Sequence, residues 1–427
     1  MKNRITYLFS LLISLSLSVK SQTDDYYNKG AIQFENRIYN DSIKTFKIQN
    51  SKWELSPPII ELNTDQKISF SFDELDANYK EYYFTLIHCD INWKPSQLSQ
   101  NEYLSTFTEE KIETYAFSTT TVQKFIHYSA SFPDENITPT KSGNYILKVY
   151  SKDNGERTIV TYRFLIYERK ADLTLDVKLA NNIESYGTAH DMRIKLNAKK
   201  IQMPDENLKI VVFQNFRWDN ALILSKPKFI NGDEYDYGEE TNLFPAGNEY
   251  RYFDLKTLKY PGENVLKIDY VNHRNTVYLK TDERRTFKTY NTYKDIDGRS
   301  LIKTQDFPES TTDADYADVH FTLPYSAPIV HGTLYILGEL TNNTFNKDSK
   351  MQYNYEKKQY EITLYLKQGY YNYLYALVEN GTTKGDVTFI ENSFKETENE
   401  YCAMAYYKAP GEIYYSIIAM SSVNSNN

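Results

Sequence analysis

Chemistry needs side chains that converge, and this sequence offers two kinds of candidate. The first kind is titratable. The histidines His88, His127, His190, His273, His320 and His331 show no HxH, HExxH or Cys-His spacing of the sort metal sites use, so each reads as a strand or loop histidine. There is no GxSxG, no phosphate-cradling glycine loop and no GxGxxG after a strand. Asp313 with Asp315, or Glu239 with Glu240, has the composition of an acid and base for glycoside hydrolysis, but adjacent acids in loops read as solvated turns. No catalytic residue, no cofactor and no metal is expected from these patterns, and the chain does not read as an enzyme.

The second kind sets aromatics beside charges. "HCDINWKP" places Asp90 and Trp93 just after the apolar "YFTLI", and "NFRWDNA" places Arg217, Trp218 and Asp219 just after "KIVVF". Trp, Tyr and Arg are enriched in binding hot spots, and loops carried on a rigid scaffold are where recognition concentrates. These five residues are candidate partner contacts. The competing reading is a tryptophan folded over the end of its own sandwich as a plug for the core.

Strands must carry both loops. Period-2 alternation dominates: "KISFSFDEL" puts Ile68, Phe70 and Phe72 on one face and Ser69 and Ser71 on the other. "GNYILKVYSKDNGERTIVTYRFLIYE" is two strands joined around Asp153-Asn154-Gly155. In "LKQGYYNYLYALVEN", residues 366–380, Tyr371, Tyr373, Tyr375 and Leu377 share one face while Tyr370, Asn372, Leu374, Ala376 and Val378 share the other, with Asn380-Gly381 as the turn. Helical patterns are short, the best being "PSQLSQNEYL". The expected fold class is all-β, tandem immunoglobulin-like or fibronectin-like β-sandwiches.

Residues 1–21 read as a signal peptide: Lys2 and Arg4, then "ITYLFSLLISLSLSV", then small residues. Without Lys2, Arg4 and Lys20 the chain keeps about 46 basic residues against 57 acidic ones, a balance that argues against nucleic acid or an anionic membrane surface as the main partner. Cys89 reads as a buried free thiol, although a disulfide to Cys402 is not excluded by number alone. The expected segments are an N-terminal sandwich at 22–168, a middle sandwich at 169–290, a connecting segment at 291–314 and a C-terminal sandwich at 315–427.

Ten stretches occur in an order and spacing that resembles the type IX secretion system plug protein family of the Bacteroidota. They are "SPPIIEL", "YYFTLIHCDINWKPSQLSQNEYL", "HYSASFP", "SGNYILKVY", "RFLIYE", "NFRWDNA", "FPAGNEYRYFD", "ADYADVHFTLP", "LKQGYYNYLYAL" and "ETENEYCAMAYYK". The resemblance implies a periplasmic protein that docks on the large outer-membrane β-barrel translocon and closes its periplasmic opening when no cargo is bound. In gliding species the same machinery delivers surface adhesins. No catalytic residues come with the family. The sandwich ends bearing Asp90, Trp93, Arg217, Trp218 and Asp219, together with Tyr370, are the expected contacts. The last segment is also similar to glycogen-binding sandwich modules, in which Phe345 stands where a stacking tryptophan is usual. A periplasmic glycan-binding protein is therefore the alternative, with glycan the less expected partner.

Overall fold

The alternation in "KISFSFDEL" forms the strand Ile68–Glu74, which sends Ile68, Phe70 and Phe72 inward and keeps Ser69 and Ser71 outside. This computed structural model describes residues 32–426 except 154, 239 and 240, so the expected signal peptide, the central Asn154 of one turn and the Glu239–Glu240 pair lie outside the described residues. Among the described residues no helix is long and apolar enough to cross a membrane.

The first sandwich has one sheet in the order Ile43–Asn50, Ile68–Glu74, Ile126–Phe132, Thr114–Phe117. The facing sheet runs Arg37–Ile38, Arg157–Tyr167, Gly143–Ser151, Tyr82–Cys89, Glu110–Lys111. Aromatic rings fill the space between them: Phe72 stacks on Tyr128 at 5.3 Å and meets Tyr82 edge-on at 5.3 Å. The expected short helix is Gln100–Tyr103, where the Glu102 carboxylate accepts a hydrogen bond from the Ser99 N–H at 2.7 Å.

Beyond the first sandwich, strand pairing crosses the segment boundaries expected at 290 and 314. Leu208–Gln214 pairs with Glu400–Tyr407, which pairs with Ser416–Asn424, so the end of the chain completes the second sandwich. Its other sheet runs Asp172–Leu179, Ala189–Asn197, Glu234–Asp236, Phe229–Asn231. The third sandwich lies between these halves in sequence. Arg251–Asp254 and Ser300–Ile302 pair with Gly369–Glu379, and Arg274–Leu279 runs parallel to Tyr316–Pro324 in the opposing sheet. The stretch expected to connect two domains thus supplies the strand Ser300–Ile302 to the third core, and residues 400–424 belong to the second sandwich. Alternation reveals that a stretch is a strand, but the partner of Leu208–Gln214 is almost two hundred residues away and leaves no local mark.

The tyrosine strand behaves as its pattern demands. Tyr371, Tyr373 and Tyr375 are buried in the third core, with Phe253 stacked on Tyr371 at 5.1 Å. Their hydroxyls stay satisfied: Tyr373 and Tyr375 both donate to Asp282 Oδ2, at 2.7 and 2.6 Å. The opposite face is covered by the same chain, Leu374 and Ala376 packing on Tyr250, Leu337 and Val387.

Candidate interaction surface

The structure brings four of the six expected contact residues together, but inside the molecule. Trp93 of the first sandwich meets Trp218 of the second edge-on at 4.8 Å, and the Arg163 guanidinium lies 4.6 Å from the Trp93 ring. Arg217 forks onto Asp219 at 3.1 and 2.7 Å and also donates to the Gly385 carbonyl of the third sandwich at 2.9 Å. Arg217 is only 3 % exposed and Trp93 only 9 % exposed. These residues fasten sandwiches to one another, so what covers them is a neighbouring sandwich of the same chain, neither their own core alone nor an open surface. The sequence carried the chemistry but not what covers the sandwich end. Asp90 stands apart, accepting the Asn92 and Lys94 N–H groups at 2.8 and 2.9 Å to hold its turn. Tyr370 is half-buried and stacks on Tyr252 at 5.6 Å.

Other residues also differ from their expected roles. Asp313 and Asp315 are not solvated turn acids. Asp313 accepts the Thr119 and Thr120 hydroxyls, and Asp315 accepts the Val122 and Gln123 N–H groups at 2.8 and 3.1 Å, clipping the third sandwich to a loop of the first. Cys89 and Cys402 are both free and buried in one apolar cluster, where burial pushes the Cys89 thiol up to about 12. Phe345 packs against Tyr335 at 5.4 Å and lies where a side chain on Gly385 would have to go, so its ring is committed to the fold.

What does face outward is an aromatic edge on the first sandwich. Thr114–Phe117 is an edge strand, and Tyr115 and Phe117 stand 44 % and 54 % exposed with Tyr79 against Tyr115 at 4.9 Å. Beside it opens a groove of about 770 Å³ lined by Ser69, Ser71, Ser129 and Ser131 together with Glu109, Glu110 and Glu113. Its serines had a signal in "KISFSF", where Ser69 and Ser71 stand opposite apolar residues, and the same pattern recurs in "HYSASF". An aromatic anchor next to an acidic groove is the composition of a reversible protein contact.

Two of the histidines hold structure. His190 sits between the Tyr401 hydroxyl at 2.9 Å and the Lys395 carbonyl at 2.8 Å, and His127 Nδ1 lies 2.6 Å from Asp73. Among the described residues, the group able to offer several ligand atoms to a metal is instead carboxylic: Asp295, Asp297 and Glu398, each with an oxygen within 4.8 Å of the others. The stretch "DIDG" at 295–298 was its signal in the sequence.

Comparison with known proteins gives the family. The profile of the Type 9 secretion system plug protein 1st domain matches residues 43–168. A crystal structure of a hypothetical protein from Parabacteroides merdae is similar at 34 % identity over 92 % of this chain and 100 % of that one, with a TM-score of 0.89. Alpha-2-macroglobulins from Salmonella and Escherichia coli align at 9 % and 8 % identity, over 90 % of this chain in each case and 23 % and 30 % of theirs, with TM-scores of 0.18 and 0.17 that carry no argument. No curated protein matches the chain. The matched residues cover the first sandwich apart from its opening strand Arg37–Ile38, and the chain belongs to the type IX secretion system plug protein family.

Proposed function

We propose that this protein is a periplasmic plug that docks on the large outer-membrane β-barrel translocon of the type IX secretion system and seals its periplasmic opening when no cargo is bound. Family membership supports a role in type IX secretion and association with other components of that system. The observation that carries the finer reading is mechanical. Three sandwiches are joined by buried side chains rather than by linkers: Trp93 with Trp218, Arg217 with Gly385, and a buried Asp73–Lys367 pair at 2.7 Å. A stopper for an aqueous pore has to resist deformation, and tandem domains on flexible linkers do not.

A plug must also leave. The outward aromatic edge at Tyr79, Tyr115 and Phe117, beside an acidic groove, supports a moderate and partly polar contact rather than a permanent one. Affinity purification of the tagged protein from its native cell, after gentle extraction of the outer membrane, tests the reading. Recovery of a very large β-barrel subunit is the expected result, and recovery of the protein alone at physiological salt contradicts it.

A further inference from the structure

In the third sandwich the strands Val265–Val271 and Arg274–Leu279 form a hairpin that closes on Asn272 and His273, both left-handed at φ 49° and 62°. Two such residues make the tight turn that matches the twist of antiparallel strands. Val271 therefore exchanges hydrogen bonds with Arg274, and the same pairing recurs at Asp269 with Thr276 and at Lys267 with Tyr278. The residues in between, Leu266, Ile268 and Tyr270, aim their N–H and C=O groups the other way.

That other way is the open edge of a sheet. Val265–Val271 is the outer strand of its five-stranded sheet, and among the described residues no backbone hydrogen bond from beyond the hairpin reaches Leu266, Ile268 or Tyr270. Ile268 packs on the third core, while Leu266 and Tyr270, on the same side of the sheet, are each 60 % exposed. Lys267 and Asp269 stand on the solvent side, 2.6 Å apart, with the Lys267 ammonium 4.4 Å from the centre of the Tyr278 ring. An unpaired apolar edge is a template for another strand, and charges along it decide which strand is admitted.

The sequence of this edge is complementary to itself. Against a second copy running the opposite way, with Ile268 opposite Ile268, Leu266 falls opposite Tyr270 and Lys267 falls opposite Asp269. Each of these unlike pairs forms twice by symmetry, so the four charges alternate in sign across the two strands. Registers shifted by two residues set Lys267 against Lys267 or Asp269 against Asp269, and like charges reject them. The backbone selects the same register, because Ile268, Leu266 and Tyr270 are the residues whose hydrogen-bonding groups face outward.

We propose that two copies of this chain join edge to edge through residues 266–270, antiparallel about Ile268, so that the third sandwiches of both share one continuous sheet. A contact this short buries little area and makes a dimer that comes apart readily. The pairing is independent of the plug reading.

The test is sedimentation of the purified full chain over a range of concentrations, with hydrogen exchange at the Ile268 amide as a second readout. Expected are a dimer that dissociates on dilution and an Ile268 amide that exchanges more slowly as the dimer forms. Lys267→Asp alone and Asp269→Lys alone, each at a solvent-facing position, set like charges against each other and lose the dimer. Mixing the two variants restores it, because each then meets its opposite. If either variant fails to fold, the wild-type concentration series and its Ile268 protection decide the matter. A chain that stays monomeric at every concentration overturns the proposal, and a dimer that both folded variants keep overturns this edge as the interface. Slow exchange at Ile268 in a monomer gives the edge to another segment of the same chain and overturns the second copy as its occupant. A dimer lost in both variants and not restored on mixing overturns the register.

Discussion

The first sandwich is fastened to its two neighbours by opposite means. Toward the second it presents a mainly apolar face, where Cys89, Trp93 and Ile146 pack with Phe213, Cys402, Met404 and Tyr406 and the Arg163 guanidinium lies against the Trp93 and Trp218 rings. One buried hydrogen bond, from the Tyr406 hydroxyl to Asn144 Oδ1 at 2.6 Å, fixes the register. Toward the third it presents charge. Asp73, fully buried, receives Lys367 at 2.7 Å, the Tyr316 hydroxyl at 2.6 Å and His127 at 2.6 Å, while Lys47 reaches Glu339 at 2.6 Å. Burial alone would raise the Asp73 carboxyl, but the Lys367 ammonium and the His127 ring outweigh it and hold it below the usual carboxylate range. The difference teaches that the two faces answer to different conditions. Apolar burial is indifferent to which partner is charged, whereas a buried ion pair is strong only while complete and leaves a stranded charge when broken.

Breaking the charged face is expected to have the largest effect. Lys367→Met leaves Asp73 buried without its ammonium and costs about 3–5 kcal/mol in urea unfolding, and adding Asp73→Asn restores much of it. A neutral single variant would mean that the pair contributes nothing. On the apolar face Met404→Ala, at a fully buried position, costs about 3 kcal/mol, and that cost does not change with salt.

Acid separates the faces more finely. His88 lies between Tyr145 at 5.0 Å and Tyr414 of the second sandwich at 5.4 Å, and burial lowers it from 6.5 to about 4. A base whose folded value is depressed contributes stability that is complete above 6.5 and is lost as pH falls toward 4. The thermal midpoint therefore declines across that window, and a folded His88→Gln variant flattens the decline. Asp73, held low, adds its own loss at still lower pH. The smallest stability effect belongs to neither face: Tyr115→Ser with Phe117→Ser at the open edge changes unfolding by about 0.5 kcal/mol or less, while weakening capture of the translocon.

These faces also mark where the sequence stopped being readable. Strands were legible because a period of two is local, as in Ile68, Phe70 and Phe72, and so was the short helix behind Ser99 and Glu102. Trp93 and Trp218 were visible as aromatics beside charge, but whether a partner or a neighbouring sandwich covers them is a tertiary fact. Asp73, next to the end of an alternating strand, carries no local mark of its role, because Lys367, its partner, lies 294 residues away. The insertion of the third sandwich into the second was hidden for the same reason.

The most direct test of the account is electrical. The purified translocon, reconstituted in a planar bilayer without this chain, is expected to conduct, and adding the folded protein on the periplasmic side is expected to close it. Conductance that stays unchanged at saturating folded protein, with the barrel empty of cargo, would contradict the plug reading.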